Sequence, residues 1–167
     1  MGDNTSIFTP SDSNDRSYQS AKRLSKYLNT IKICKNKNDT GCSDLYYPVR
    51  YAQSGHDGVF QSNNPKLILN DGSIYNIYQY DTCEAAVESC QKDKFGNCKK
   101  DENGENIKDT WNKVTCAFIY IDVNGAKGPN KFGQDNFVIN IARNKVFPDY
   151  GSWVGGKMPI DILTNKI

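Results

Sequence analysis

The chain has a single histidine, His56, and no Cys-x-x-Cys pair. A structural zinc site needs closely spaced cysteines with histidine completing the ligands, so this use of the cysteines is set aside. No stretch approaches the roughly 20 apolar residues that span a bilayer, and no basic segment followed by an apolar run marks a signal peptide. Charge of one sign is also scarce: 21 Lys and Arg face 19 Asp and Glu, a formal net charge of +2. Cations interspersed with acids at that balance make a solvated surface, not a footprint for nucleic acid. Apolar residues, Tyr included, make up 37%, and the mean hydropathy is −0.69. A 167-residue chain of this kind builds one domain over residues 1–167, with a modest core and long loops.

Six cysteines are there to compensate: Cys34, Cys42, Cys83, Cys90, Cys98 and Cys116. In a domain with a thin core they read as disulfides of open connectivity, which places the chain outside a reducing cytosol, extracellular or at a cell surface. The start Met1-Gly2-Asp3-Asn4-Thr5-Ser6 matches the myristoylation pattern, but that modification belongs to the compartment the disulfides exclude. Residues 1–13 are therefore expected to be a disordered or expression-derived start, with a natural preceding segment removed. Asn4-Thr5-Ser6 and Asn38-Asp39-Thr40 also match the glycosylation sequon.

Tyr18, Ala21, Leu24, Leu28 and Ile31 recur at three- and four-residue spacing, which predicts an amphipathic helix over 14–33, capped by Ser13 or Asn14. From Cys34 to about Asn64 the chain is loop-like, with one short strand expected over Leu45–Tyr51. Leu67-Ile68-Leu69 and Ile74-Tyr75-Asn76-Ile77-Tyr78 flank Asn70-Asp71-Gly72, the turn chemistry of a hairpin. Cys83 to Cys90 reads as a short helix begun by an Asp81/Glu84 capping box; its length would hold the two cysteines too far apart to bond, so each needs another partner. Residues 91–110 form a polar insertion that Cys98 ties down. Val114–Ile121 is apolar nearly throughout, as in a central strand, and Phe137, Ile139 and Ile141 alternate as in its neighbour. The order gives an α+β domain: an N-terminal helix packed on an antiparallel sheet spanning 66–148.

The loop from Asp122 to Asp135 carries Asp122-x-Asn124-Gly125-x-Lys127-Gly128-Pro129-Asn130-x-x-Gly133-x-Asp135-x-Phe137. Together with Leu69-Asn70-Asp71-Gly72-Ser73 it resembles the C-terminal part of type IV pilin-like proteins, which include pilins and the pseudopilins of type II secretion. The likeness covers the helix and residues 66–148, and departs at the N-terminus, where the prepilin cleavage site and apolar segment are missing. It implies a structural subunit of a pilus or pseudopilus at the bacterial surface or in the periplasm. Such a subunit partners other pilin subunits and meets the membrane only through the missing helix. The resemblance also implies that calcium can sit in a loop at this end.

From the residues themselves, Asp122, Asn124, Asn130 and Asp135 offer oxygens suited to calcium, although the EF-hand pattern fails at Ala126 and Gly133. The alternative use of the same residues is structural: side chains that bond the backbone, and glycines that make turns. Ser54-Gly55-His56-Asp57 collects the residue types of a hydrolytic triad, but four adjacent residues in a glycine-flanked loop make a turn, so no enzyme is expected. The rival function is a secreted calcium-dependent carbohydrate-binding or adhesin module using Asp122, Asp135 and the tyrosines 46, 47, 51, 75, 78 and 80.

Overall fold

The computed structural model describes residues 7–8, 15–51, 60, 62–83, 85–91, 97–113, 115–143 and 145–149. The helix α1 spans Arg16–Ser25, ten residues instead of the expected twenty. Its continuation is a strand, β1, Thr30–Cys34, because Thr30, Ile31 and Ile33 are β-branched and find an antiparallel partner in β2, Lys66–Leu69. Leu24 and Leu28 still pack where the helical period put them, but Ile31 is turned out, 65% exposed. The proposed caps Ser13 and Asn14 lie outside the described residues.

The Asp71-Gly72 turn joins β2 to β3, Ile74–Gln79, as expected. Gly72 takes φ +88°, and the Asp71 carboxylate accepts bonds from the Ser73 N–H and hydroxyl. The central strand β6, Thr115–Asp122, lies between β3 and β7, Asn136–Ala142. With β8, Val146–Pro148, they complete a six-stranded antiparallel sheet of order β1-β2-β3-β6-β7-β8. Residues 45–51 do not form the expected strand: Ser43–Leu45 is a 3₁₀ turn and only Arg50 bridges, to Lys131.

Between β3 and β6 the chain makes a separate two-stranded arm. The expected helix over 83–90 is a strand, β4, Ala85–Cys90, paired in full register with β5, Lys108–Lys113. The helical reading rested on Ala-Ala-Val-Glu; pairing along six residues with a distant segment outweighs that local preference. The conclusion about the cysteines stands on the new geometry, since an extended segment separates its ends even further. Cys83 bonds Cys116 of β6 at the base of the arm, Cys90 bonds Cys98, and Cys34 bonds Cys42 beside β1.

Each face of the sheet has its own cluster. On one, α1 and Phe8 cover Leu67, Leu69, Ile77, Ala117 and Ile119. On the other, Val49, Phe60 and Phe132 cover Ile74, Tyr120 and Val138, with Tyr47, Tyr51, Tyr78 and Phe118 at the margin. In β7 the apolar face of Phe137, Ile139 and Ile141 is the less buried one, while Asn136, Val138 and Asn140 are enclosed. α1 has its main contacts with β3, β1 and β2, at the other side of the sheet from β8.

Candidate functional site

The segment from Asp122 to Asn136 leaves β6, turns through a 3₁₀ turn at Gly125–Lys127 and returns into β7. Gly125 sits at φ +66° against the β2–β3 hairpin; a Cβ there would lie 3.2 Å from the Gly72 carbonyl oxygen. The fold thus sets side by side the two segments, 69–73 and 122–135, that carry the sequence resemblance.

Both carboxylates of the candidate loop are buried and accept hydrogen bonds at both oxygens. Asp122 accepts from the Tyr47 hydroxyl at 2.7 Å, the Asn136 side-chain amide at 3.0 Å and the Asn124 backbone N–H at 3.0 Å. Asp135 accepts from the backbone N–H groups of Asn130 and Lys131, each at 2.8 Å, and from the same Asn136 amide at 3.0 Å. The Asn136 Nδ2 therefore bridges the two acids. Burial pushes the Asp122 carboxyl above its ordinary value, against the bonds from Tyr47, Asn124 and Asn136, which favour the ionised form. Tyr47 in turn is pushed up by burial and by its bond to Asp122.

Asn124 and Asn130 are arranged differently. Their amide nitrogens turn back on the loop, to the Gly128 carbonyl at 2.9 Å and the Ala126 carbonyl at 3.5 Å. Their amide oxygens, and that of Asn136, are buried without a hydrogen-bond partner. Three orphan oxygens on one loop are an unusual expense in a folded chain. They are also the donor chemistry a hard cation takes, alongside the two acids. Among the described residues no three His, Cys, Asp or Glu side chains come together as a metal-holding group, so a cation here depends on the asparagines.

Of the four residues singled out in the sequence, Asp122 and Asp135 converge. Asn124 and Asn130 flank them through the loop backbone. Tyr47 and Asn136, which complete the network, were not among them. Asn136 was legible in principle: if Phe137, Ile139 and Ile141 share one face of β7, Asn136 enters the other. Tyr47 was not, because it arrives from 75 residues away.

A second buried group lies beside this network. Lys66 is 0% exposed and its amine makes no hydrogen bond; it sits over the Tyr46 ring at 4.2 Å and the Phe60 ring at 4.9 Å. Burial brings it down to about 7. Phe60 stacks on Tyr47 at 5.6 Å, which links this box to Asp122. Ser54, His56 and Asp57 lie outside the described residues. The tyrosines are mainly packing: Tyr47, Tyr51 and Tyr78 edge one cluster, Tyr75 the other, and Tyr80 meets Tyr78 edge-on at 4.9 Å. The chain matches no protein-family model, and comparison with curated proteins and with solved structures finds no match.

Proposed function

We propose that this domain is a structural subunit of a bacterial type IV pilus or related pseudopilus, working by packing against other subunits. The observation that carries the reading is the apolar part of the helix-side sheet face, beside β8, that the described residues leave open. Beyond α1, residues Ile121, Val123, Phe137, Ile139, Val146 and Phe147 line an open apolar groove of about 370 Å³. Val123 and Val146 are 50% and 64% exposed. Contiguous apolar surface of this kind suits contact with another protein. Three disulfides fit an oxidising compartment, and among the described residues no helix is long and apolar enough to cross a membrane. The test is immunogold labelling of the native bacterium with antibodies to the domain. Label along surface or periplasmic filaments supports the reading; label confined to dispersed, unassembled protein removes it.

A second reading, a calcium-loaded module, is favoured by the orphan oxygens of Asn124, Asn130 and Asn136. These three, with the remaining lone pairs of Asp122 and Asp135, would hold the ion, and its positive charge would draw the Asp122 carboxyl back down. Thermal unfolding in millimolar calcium and in chelator decides: a Tm raised by calcium and abolished by Asn124→Ala/Asn130→Ala supports a site, and superimposable curves remove it.

A further inference from the structure

The three disulfides differ sharply in access. Cys34 and Cys42 are 0% exposed, and Cys83 and Cys116 are 4% and 3% exposed. Cys98, in contrast, is exposed, and Cys90 is only half-buried. Thiol–disulfide exchange requires a thiolate to approach one sulfur in line with the bond, so burial of both sulfurs protects a disulfide from external thiols. We propose that Cys90–Cys98 is an exchange site for external thiols, with Cys98 the sulfur attacked, whereas the other two disulfides are structural.

The chain carries its own control for this assignment. Cys34–Cys42 and Cys90–Cys98 close covalent loops of the same span, a sequence separation of 8 in each. Loop-closure entropy is therefore alike for the two, and burial is what separates them. The step balances without any group from elsewhere in the protein. An external low-molecular-weight thiolate bonds Cys98 Sγ, the Cys90–Cys98 bond breaks, and Cys90 leaves as the thiolate. A second equivalent of thiol then attacks the mixed disulfide, releasing the oxidised dimer of the reagent and leaving both cysteines reduced, a two-electron change in all. Alternatively Cys90 attacks Cys98 and expels the reagent, restoring the original bond.

Restoration is favoured by the backbone around the pair. The Gln91 N–H donates to the Ile107 carbonyl at 2.8 Å, Lys99 to Gln91 at 2.7 Å and Ile107 to Lys99 at 3.0 Å. These bonds flank both cysteines and do not involve sulfur, so they keep the thiols adjacent after cleavage, and β4 stays paired with β5. Opening this disulfide alters the outer part of the arm alone; the base remains fixed to the sheet through Cys83–Cys116. The site is thus a reversible redox latch on the arm, and it does not depend on the reading of the domain as a filament subunit.

The experiment is graded reduction of the whole, oxidised chain with reduced glutathione and with dithiothreitol, quenched with N-ethylmaleimide and mapped by peptide mass spectrometry. Cys90 and Cys98 are expected to be labelled at reductant concentrations at least about tenfold below those that label the other four, with glutathione caught on Cys98 and the circular dichroism unchanged. Labelling of Cys34 and Cys42 at the same concentration, or of all six cysteines together with loss of the spectrum, overturns the proposal. A Cys90→Ser/Cys98→Ser variant should lose the early labelling phase and keep the late one. If that variant does not fold, the labelling order in the unaltered chain still decides.

Discussion

Lys66 occupies a place on β2 that the alternation of the strand assigns to the interior, and it is held there by two aromatic rings and no acid. Its value of about 7 in the folded chain lies below the 10.5 of the unfolded one, so between these values the unfolded state binds the proton and the folded state does not. Stability therefore rises with pH through that window, and the cost of the buried amine is complete below pH 7. Attraction of the ammonium to the Tyr46 and Phe60 faces offsets part of it. Lys66→Met keeps the stem and removes the charge. It is expected to stabilise the protein at pH 7 by on the order of 3 kcal/mol in urea unfolding, with the gain fading as pH approaches 10.5. Asp122 works in the opposite sense. Its folded value is raised, so the folded chain takes up the proton first as pH falls, and the destabilisation from this group is greatest once it is ionised. Tyr47→Phe removes a donor to that ionised form. It should cost about 1–3 kcal/mol at pH 7 and less at pH 3, measured by the same unfolding curves.

At the scale of elements, what was readable in the sequence is what local chemistry decides. Asp71-Gly72 fixed the β2–β3 turn, and the apolar run before Asp122 placed β6 at the centre. What was not readable depends on partners far along the chain. Ile31 fits a helical period until β2 is known to lie beside it, and Ala85-Ala86-Val87-Glu88 reads as helix until β5 supplies a ladder. The same division holds at the site. The acids and glycines of 122–135 announce themselves, but Tyr47 and the bridging Asn136 gain meaning only once loop and strands are assembled. Gly125 brings the 122–135 loop close against the β2–β3 hairpin, in a left-handed conformation under the Gly72 carbonyl. Gly125→Ala should destabilise by at least about 1–2 kcal/mol, the cost of that conformation for an L-residue before any shift of the hairpin. The disulfides can be ranked as well. Loop-closure entropy gives about 4 kcal/mol for the 33-residue separation of Cys83–Cys116 and about 2.5 kcal/mol for that of Cys90–Cys98. Cys83→Ala/Cys116→Ala should lower the unfolding midpoint more than Cys90→Ala/Cys98→Ala, and further still because Cys116 lies in the core-lining strand.

For the whole molecule the governing fact is a mismatch of width. Six strands spaced about 4.8 Å apart make a sheet roughly 24 Å across, and one helix of about 10 Å diameter shelters only two or three of them. α1 lies mainly over β1, β2 and β3, its cluster extending to Ala117 and Ile119 of β6, and the opposite face is closed by the loops that carry Val49, Phe60 and Phe132. Among the described residues, what remains is the outer part of the helix-side surface, from the end of β6 at Ile121 across β7 to β8. It is apolar along Ile121, Phe137 and Ile139, and polar residues of β7 are buried on the other side instead. On the proposed reading a neighbouring subunit is laid on this surface. Val146 stands at the rim with 64% of its surface exposed, so a charge placed there meets solvent in the isolated domain and apolar side chains in an assembled one. Val146→Asp should leave the Tm of the isolated domain within about 2 °C of the parent, since exposed substitutions of this kind cost little. It should also lower native-state binding of 1-anilinonaphthalene-8-sulfonate and, on the proposed reading as a pilus or pseudopilus subunit, exclude the domain from filaments when produced in the native bacterium. Normal incorporation of the variant would remove this face as the packing surface of the proposed subunit.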